Sequence, residues 1–432
     1  MKVLVVGSGG REHVTVWKLL QSKRDPFITC TPSNAGISWE RRRCGSTIGH
    51  MGIPATDIEG LVSAAKGTGY DLTIVSSDDP LALGIVDRFQ EEGLRIWGPT
   101  RAAAKFEWSK VYTHDFMERH GIPAPYGKAF NNNYDEALLF AESLGWKCAV
   151  KVDGLALGKG VFVCRTKEEV QEALTRIFVN QEFGVAGKWV LIQELVTGQE
   201  VSLHFFCDGI HAVAFPSSKD HKAEFDGNKG RNTGGMGTIS PSPDITEEMH
   251  KTIASQIIEP WLKGCRDEGI EFKGILYPGI MLTEKGPVVL EFNARFGDPE
   301  TQVYLPRLEN DLLDIIDASI DGKLNTLDIR WKKEVAVCVV MAEPGYPGKY
   351  EKGKLITGLD HVATWPNVKV FHAGTKRVGD KVYTNGGRVL GVTAWASTVG
   401  AARLLAYRAV NAITFEGGAH YRKDIGGPPL DV

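Results

Sequence analysis

Short apolar runs alternate with amphipathic stretches through the first hundred residues. The apolar run 3–6 and the short segments 27–30, 72–75 and 95–97 predict strands, and the segments 12–21, 58–67 and 81–92 are predicted as helices between them. This β-α-β order favours a doubly wound parallel sheet. Ligands of such sheets bind at the carboxyl ends of the strands. We therefore expect a binding site near residues 7–11 and 76–81.

The pattern of elements changes after residue 100. Helices are predicted over 109–119 and 246–267. A third helix is predicted to begin at a capping box formed by Thr166 and Glu169. Strands are predicted at 275–282, 288–293, 335–341 and 389–393, followed by a helix over 398–413. The polar, glycine-rich stretch 217–237 is too long for an ordinary connection, so we interpret it as a functional loop.

Charge and composition narrow the class of protein. The chain has 50 Lys and Arg against 53 Asp and Glu, for a net charge of −3, which argues against binding to nucleic acid. No apolar stretch is long enough to span a membrane. The seven cysteines include no Cys-x-x-Cys pair and favour buried, reduced thiols. We expect a cytoplasmic protein that binds neither nucleic acid nor membranes and is a monomer or weak dimer.

The first strand is followed by Gly7-Ser8-Gly9-Gly10-Arg11-Glu12-His13. A glycine turn at the start of a helix presents free N–H groups and the positive end of the helix dipole to an anion. Glu12 stands where a dinucleotide fingerprint requires glycine, so a single ribose phosphate is the better ligand. The alternative is a tight turn that binds nothing.

The segment from Lys151 to Val161 is a glycine-rich loop between two strands. Its spacing differs from that of a Walker A loop, because three residues separate Gly154 from Gly158 and Gly160 follows Lys159. Such a loop predicts a flap over a triphosphate, with lysines that neutralise charge. The alternative is a plain hairpin with surface lysines.

A second polar segment ends the strand predicted at 288–293. By the two-residue period of a strand, Glu291, Asn293 and Arg295 share one face. Polar side chains at the end of a buried strand are unfavourable unless they bind something. The Glu and Asn oxygens suit Mg²⁺ that also holds ATP phosphates, and Arg295 suits a carboxylate or phosphate. The alternative is a strand that emerges into solvent.

Two weaker candidates accompany these segments. Residues 190–196 predict an apolar strand in which Glu194 is followed by further apolar residues. This segment would present backbone groups and Glu194 to adenine, with Glu200 near a ribose. Alone, the pattern favours a core strand and a turn. In the stretch 217–237, Asp220-His221-Lys222 precedes an Asn-Thr-Gly-Gly segment that starts at Asn232 and offers amide donors to a phosphate or oxyanion.

Taken in order, these segments resemble the glycinamide ribonucleotide synthetase family of ATP-grasp enzymes. The resemblance covers essentially the whole chain, as far as the segments that begin at Gly386 and Tyr421. It implies an α/β and α+β multidomain protein. The expected regions are an N-terminal ribose-phosphate-binding domain with a doubly wound parallel sheet (1–102), an ATP-grasp two-sheet clamp (103–330, with a lid subdomain at about 123–193) and a C-terminal α+β domain (331–432).

The resemblance also implies a reaction. ATP phosphorylates glycine to glycyl phosphate, and the amine of 5-phosphoribosylamine then attacks, which forms glycinamide ribonucleotide. Positioning and charge neutralisation would carry the catalysis, because no protein nucleophile is needed. The cofactors implied are ATP and Mg²⁺, with Mn²⁺ as a substitute.

The residues that match the family motifs fall into four sets. ATP contacts are implied for Lys110, Lys151, Gly154, Gly158, Lys159, Gly160, Glu194, Val196 and Glu200. Metal ligands are Glu291 and Asn293. The catalytic set that orients glycine is Arg295, Asp220 and Lys222. Substrate contacts are Gly9, Gly10, Arg11, Asp78, Pro80, Asn232, Thr233 and Gly234.

The sequence departs from the family pattern on the amine-substrate side. Ser76-Ser77-Asp78-Asp79 stands where the family has Gly-Pro-Glu-Ala, and Trp108 stands where a small residue is usual. Arg231 replaces a usual Pro, and Ala294 a usual Cys. Alternatives are therefore another ATP-grasp carboxylate–amine ligase with a different amine, or a non-catalytic nucleotide-binding protein.

Overall fold

The N-terminal region is a five-stranded parallel sheet with helices on both faces. The computed structural model describes residues 1–155 and 160–430. The strands, in spatial order, are Gly49–His50, Phe27–Thr31, Lys2–Val6, Leu72–Val75 and Ile96–Trp97. Alternate residues of the first strand enter different cores: Leu4 packs in the core of Leu61, and Val5 in that of Val14. The predicted doubly wound sheet is confirmed.

Six α-helices lie within residues 1–119, all of which are described. They are Gly10–Leu19, Ile58–Thr68, Asp78–Ala82, Ile85–Glu91, Arg101–Trp108 and Lys110–Arg119. The single helix predicted over 81–92 is wrong, because Gly84 has a φ of 89° and begins a new helix. A positive φ cannot be accommodated within a continuous right-handed helix.

A small four-stranded antiparallel sheet carries the glycine-rich loop. Its strands, in spatial order, are Gly127–Asn131, Trp189–Glu194, Cys148–Val152 and Val161–Cys164, with helices Tyr134–Ser143 and Lys167–Leu174 against it. The predicted capping box is confirmed, since Thr166 Oγ1 accepts from the Glu169 amide at 3.3 Å and Glu169 Oε2 accepts from the Thr166 amide at 3.2 Å.

The second antiparallel sheet carries the predicted metal ligands. The long strand Lys273–Thr283 pairs with Gln199–Ser202 and Phe205–Asp208 on one edge and with Gly286–Asn293 on the other, and Ala212–Ala214 follows Phe205–Asp208. Helices Glu247–Ile253 and Glu259–Asp267 are joined by the π-helical turn Ala254–Ile258, so the helix predicted over 246–267 is confirmed.

The C-terminal region contains a five-stranded sheet and a four-stranded sheet. The first has the order Lys219–Asp220, Gly237–Ser240, Val335–Ala342, Arg388–Ala396 and Val368–His372; the second has the order Thr375–Val378, Lys381–Thr384, Leu355–Thr357 and Thr414–Phe415. Helices there are Thr301–Tyr304, Leu312–Ile320, Leu359–Val362 and Val399–Asn411.

The stretch 217–237, predicted to be a functional loop, contains short strands. Lys219–Asp220 joins the C-terminal sheet, Ala223–Phe225 and Lys229–Asn232 form a hairpin, and Gly237 begins the next strand of that sheet. These ladders pair part of its backbone. The functional role of the stretch stays a prediction. Six of the seven cysteines are buried, and Cys44 is exposed. Among the helices of the described ranges, none has both the length and the apolarity needed to cross a bilayer.

Candidate active site

A cavity of about 240 Å³ opens at the carboxyl ends of strands Lys2–Val6 and Leu72–Val75. Four of the predicted substrate residues line it, namely Gly9, Arg11, Asp78 and Pro80. The other lining residues are Gly7, Ser8, Glu12, Pro32, Ala55, Thr56, Ser77, Asp79 and Asp298. Gly10 is not in this lining; a Cβ there would lie 2.4 Å from Gln302 Nε2, so its role is close approach of the helix to that side chain.

Glu12 folds back over the glycine turn. Its carboxylate accepts hydrogen bonds from the Gly9 amide at 2.6 Å, Arg11 Nε at 3.0 Å and Ser76 Oγ at 3.1 Å. A Cβ on Gly7 would lie 2.6 Å from Glu12 Cγ, so glycine makes room for this side chain. One of the amide donors predicted to meet a phosphate is thus already paired with a carboxylate.

Arg11 connects the cavity to the strand that carries the predicted metal ligands. Its Nη2 pairs with Asp78 Oδ1 at 3.2 Å, and its Nη1 donates to the Phe296 carbonyl at 3.3 Å. Arg295 Nη1 donates to the same carbonyl at 3.2 Å. Burial alone would raise the pKa of Asp78, but Arg11 and Arg295 lower it below its ordinary value. Burial and the neighbouring Asp78 raise the pKa of Asp79.

Two of the predicted ATP lysines, Lys151 and Lys110, lie where the two antiparallel sheets meet. Lys151 Nζ donates to the Leu290 carbonyl at 2.8 Å, which joins the small sheet to the strand Gly286–Asn293. Burial lowers the pKa of Lys151 to about 8, although Glu291 opposes that shift. Lys110 Nζ donates to the Gly154 carbonyl at 3.3 Å. Both ammonium groups therefore border the start of the glycine-rich loop.

Asp153 fixes the beginning of that loop and was not among the predicted residues. Its Oδ1 accepts from Ser109 Oγ and from the Val111 amide, both at 3.0 Å, at the start of helix Lys110–Arg119. At the other end, the Gly160 carbonyl accepts from the Val152 amide at 2.8 Å. Gly158 and Lys159 lie outside the described residues.

The predicted adenine contacts lie at and just beyond the end of strand Trp189–Glu194, and the predicted ribose contact lies on strand Gln199–Ser202. Glu194 is exposed, and its Oε1 accepts from the Tyr126 amide at 3.0 Å, while Val196 is half-buried just beyond it. Glu200, on strand Gln199–Ser202, forms an ion pair with Lys222. Glu200 and Lys222 are thus brought together, although the sequence assigned them to different substrates.

Glu291 and Asn293, the predicted metal ligands, each offer an oxygen donor at the end of strand Gly286–Asn293. Glu291 lies opposite Gly279 on the paired strand, and among the described residues none donates a hydrogen bond to its carboxylate. Burial would raise its pKa, but Lys222, Lys151, Lys110 and Arg295 hold it below the ordinary value. Within residues 1–155 and 160–430, Asn293 Oδ1 accepts only from Arg295 Nη2, at 3.1 Å, and so keeps a lone pair. A charged carboxylate and an amide oxygen are hard donors of the kind Mg²⁺ prefers.

Asp220 sits in a buried acidic cluster on the C-terminal sheet. Burial and Glu300 raise its pKa well above the ordinary value, and Thr238 Oγ1 lies 3.4 Å from its Oδ1. Tyr277 OH donates to Glu300 Oε1 at 2.6 Å. Glu300 was not among the predicted site residues, although it follows the Glu291 strand closely in the sequence.

Arg388 joins the segment that contains Gly234 to the segment that contains Asp298. Its Nη1 donates to the carbonyls of Gly234 and Asp298, each at 2.6 Å. Thr233 turns back onto the Lys222 carbonyl, to which both its amide and its hydroxyl donate at 2.8 Å. Asn232 ends the exposed strand Lys229–Asn232. Arg388 was missed because its partners are distant in sequence.

Comparison with known proteins identifies the family to which the chain belongs. Profiles of three phosphoribosylglycinamide synthetase domains match in order: the N domain over 1–107, the ATP-grasp (A) domain over 108–301 and the C domain over 336–428. Fold and site define an ATP-grasp ligase, which uses ATP and a divalent metal ion and acts on small molecules. A phosphoribosylamine–glycine ligase of Caldanaerobacter subterraneus subsp. tengcongensis is 44% identical over 425 residues, covering 98% of this chain and 99% of that protein. The chain belongs to the phosphoribosylglycinamide synthetase family.

Solved structures agree with this assignment. The crystal structure of a Thermotoga maritima phosphoribosylamine–glycine ligase has a TM-score of 0.83 at 30% identity and covers 98% of this chain and 99% of that one. The biotin carboxylase domain of a Hydrogenobacter thermophilus 2-oxoglutarate carboxylase, crystallised with MgADP, has a TM-score of 0.75 at 17% identity, covers 97% of this chain and 91% of that one, and shows the shared fold. The predicted family resemblance, fold class and ligase class are confirmed.

Proposed function

We propose that the protein joins glycine to 5-phosphoribosylamine at the expense of ATP and releases glycinamide ribonucleotide, ADP and phosphate. The observation that carries this proposal is the continuity of one segment. Glu291 faces the lysines at the nucleotide side, and Asp298, a few residues on, lines the cavity in the parallel sheet. Both reactants would thus meet at one strand end, as a ligation requires.

The reaction would follow an acyl phosphate route, which needs no nucleophile from the protein. ATP phosphorylates the glycine carboxylate, and the amine displaces phosphate from glycyl phosphate. Lys110 and Lys151 would neutralise the phosphates, together with Gly154, Gly158, Lys159 and Gly160. Glu194 and Val196 would flank adenine, and Glu200 would release Lys222 to reach the ribose. Charge neutralisation in a site screened from water is the main contribution expected.

Glu291 and Asn293 would hold Mg²⁺, for which Mn²⁺ can substitute, and the ion would supply charge neutralisation at the phosphates. Arg295, Asp220 and Lys222 would orient glycine, with the guanidinium on its carboxylate. Gly9, Gly10, Arg11, Asp78, Pro80, Asn232, Thr233 and Gly234 would bind the phosphoribosylamine. This assignment is supported by the cavity that four of these residues share.

The test is ADP release with ATP, glycine and freshly made phosphoribosylamine, each omitted in turn. The proposal requires all three, together with a divalent metal. Glycine-dependent release that another amine supports better would identify a different amine substrate. That second candidate is favoured by the four acidic side chains on the cavity wall, namely Glu12, Asp78, Asp79 and Asp298. ADP release that does not depend on glycine would contradict the proposal.

A further inference from the structure

Glu107 lies on helix Arg101–Trp108 and holds the segment that ends the metal-ligand strand. Its Oε1 pairs with Arg295 Nη2 at 2.9 Å, and its Oε2 accepts from the Ala294 amide at 2.8 Å. The Glu107 side chain is 10% exposed. One carboxylate thus fixes both the backbone and the guanidinium of adjacent residues.

The guanidinium that Glu107 holds is central to the site. Arg295 Nη2 also donates to Asn293 Oδ1 at 3.1 Å, and its Nη1 donates to the Phe296 carbonyl at 3.2 Å. Its buried Nε has no partner in the described part of the chain. Of the contacts that orient this side chain, the one with Glu107 is the only ion pair among the described residues.

The guanidinium of Arg11 lies close to that of Arg295, which increases the need for the ion pair between Arg295 and Glu107. Arg11 donates to the same Phe296 carbonyl at 3.3 Å, so two guanidinium groups converge on one oxygen. Like charges this close repel strongly when buried. Asp78 and Glu12 pair with Arg11, whereas Glu107 is the carboxylate that pairs with Arg295. Removing the Glu107 charge would leave Arg295 without an ion pair and still repelled by Arg11.

We propose that Glu107 is a positioning residue that fixes the Arg295 guanidinium for the glycine carboxylate while keeping it apart from Arg11. The proposal rests on the proposed glycine-binding role of Arg295. Glu107 would not touch a substrate; its carboxylate would hold the Ala294 amide in place, and its effect on glycine binding would pass through the Arg295 guanidinium. The helix that carries Glu107 ends at Trp108, and the next helix begins at Lys110. Glu107, which contacts Arg295, is therefore close in sequence to Lys110, a predicted ATP contact.

The test uses the full-length chain and four variants: Glu107→Gln, Arg295→Lys, the double variant, and the exposed control Glu118→Gln on the following helix. Glutamine retains one oxygen as an acceptor for the Ala294 amide, and it replaces the charged oxygen that faces Arg295 with an amide NH2 donor. ADP release is measured against glycine, ATP and amine concentrations, below the melting temperature of the least stable variant.

We expect Glu107→Gln to lower kcat/KM for glycine about tenfold or more, the effect of losing a charged hydrogen bond. KM for ATP should stay within about twofold, and Glu118→Gln should behave as the parent protein. The double variant should be no worse than Arg295→Lys, since Glu107 acts only through that side chain.

Multiplicative losses in the double variant would overturn the inference, because they would show that Glu107 acts independently. So would normal glycine kinetics in Glu107→Gln beside a defective Arg295→Lys, a result that leaves the proposed function standing. A parent protein without glycine-dependent ADP release would instead remove the proposed function, and the inference with it.

Discussion

Asp78 and Arg11 form an ion pair with 3.2 Å between Oδ1 and Nη2 at the wall of the cavity in the parallel sheet. The pair lowers the pKa of Asp78 despite burial, so its carboxylate is charged while that of the adjacent Asp79 is easier to protonate. The two neighbouring acids are therefore unequal, and only Asp78 has a fixed partner among the charged groups described.

Replacing Asp78 should weaken binding of the amine substrate. We expect Asp78→Ala to raise KM for the amine about tenfold, because it removes a charged acceptor and frees Arg11, while KM for ATP changes little. Asp79→Ala should be milder and serves as the matched control. Steady-state ADP release with varied amine checks this. Unchanged amine kinetics in Asp78→Ala would make the segment a structural turn.

Replacing Glu291 should abolish ligation while the fold persists. Glu291→Ala removes the charged oxygen ligand from the strand Gly286–Asn293, and Glu291→Gln keeps its shape without its charge. We expect both to lose activity at ordinary Mg²⁺ concentration. Glu284→Gln, in the exposed turn of the same hairpin, should remain active. Melting temperatures separate lost chemistry from lost folding, and turnover by Glu291→Ala would remove the metal assignment.

Lys151 should impose an alkaline limit on ATP use. Its pKa is lowered by burial to about 8, so the ammonium group is charged below that pH and neutral above it. kcat/KM for ATP, which reports groups of the free enzyme, should therefore fall as pH rises through about 8. In Lys151→Arg the charge persists, so the activity that remains should lack this limb. An identical limb in Lys151→Arg would assign it to another group; Lys128→Arg is the control.

Gly235 should not tolerate a side chain. Its φ is +111°, and a Cβ would lie 2.5 Å from Pro299 Cδ and 2.7 Å from Asp220 Oδ1. We expect Gly235→Ala to lower the free energy of unfolding by about 1–3 kcal/mol and to disturb glycine kinetics through Asp220. Gly67→Ala, in the open space of helix Ile58–Thr68, should raise stability by about 0.5–1 kcal/mol. Equal melting temperatures for the two variants would contradict this account.

The sequence predicts an element best when the residues of that element alone determine its structure. The strand Leu72–Val75 is found as predicted because three apolar residues and the β-branched Thr73 suit burial on both faces of a parallel sheet. The helix predicted over 81–92 fails at Gly84, since amphipathic spacing continues across the break and only the backbone conformation reveals it. One glycine within an apolar period does not specify its φ.

Long-range pairing explains the other differences. Lys219–Asp220 is too short to show a period, and it becomes a strand only by pairing with Gly237–Ser240, which in turn pairs with Val335–Ala342. The role of Glu107 also depends on a long-range contact. In the sequence, a carboxylate on a helix is typical of a solvated face, and only the fold brings Arg295 next to it. The polar strand end at Glu291, in contrast, is visible in sequence because its unusual residues are adjacent.

The strand pairing of Gly237–Ser240 with Val335–Ala342 limits how this polypeptide can be divided. A fragment that stops before residue 335 would keep Asp220 but lose the neighbour that completes the sheet behind it, and it would expose the edge of Gly237–Ser240 to pairing with other chains. Split, shortened or domain-exchanged versions of the enzyme must therefore keep the C-terminal region together with the strand that presents Asp220, and two co-expressed pieces cut near residue 330 should reassemble through this sheet.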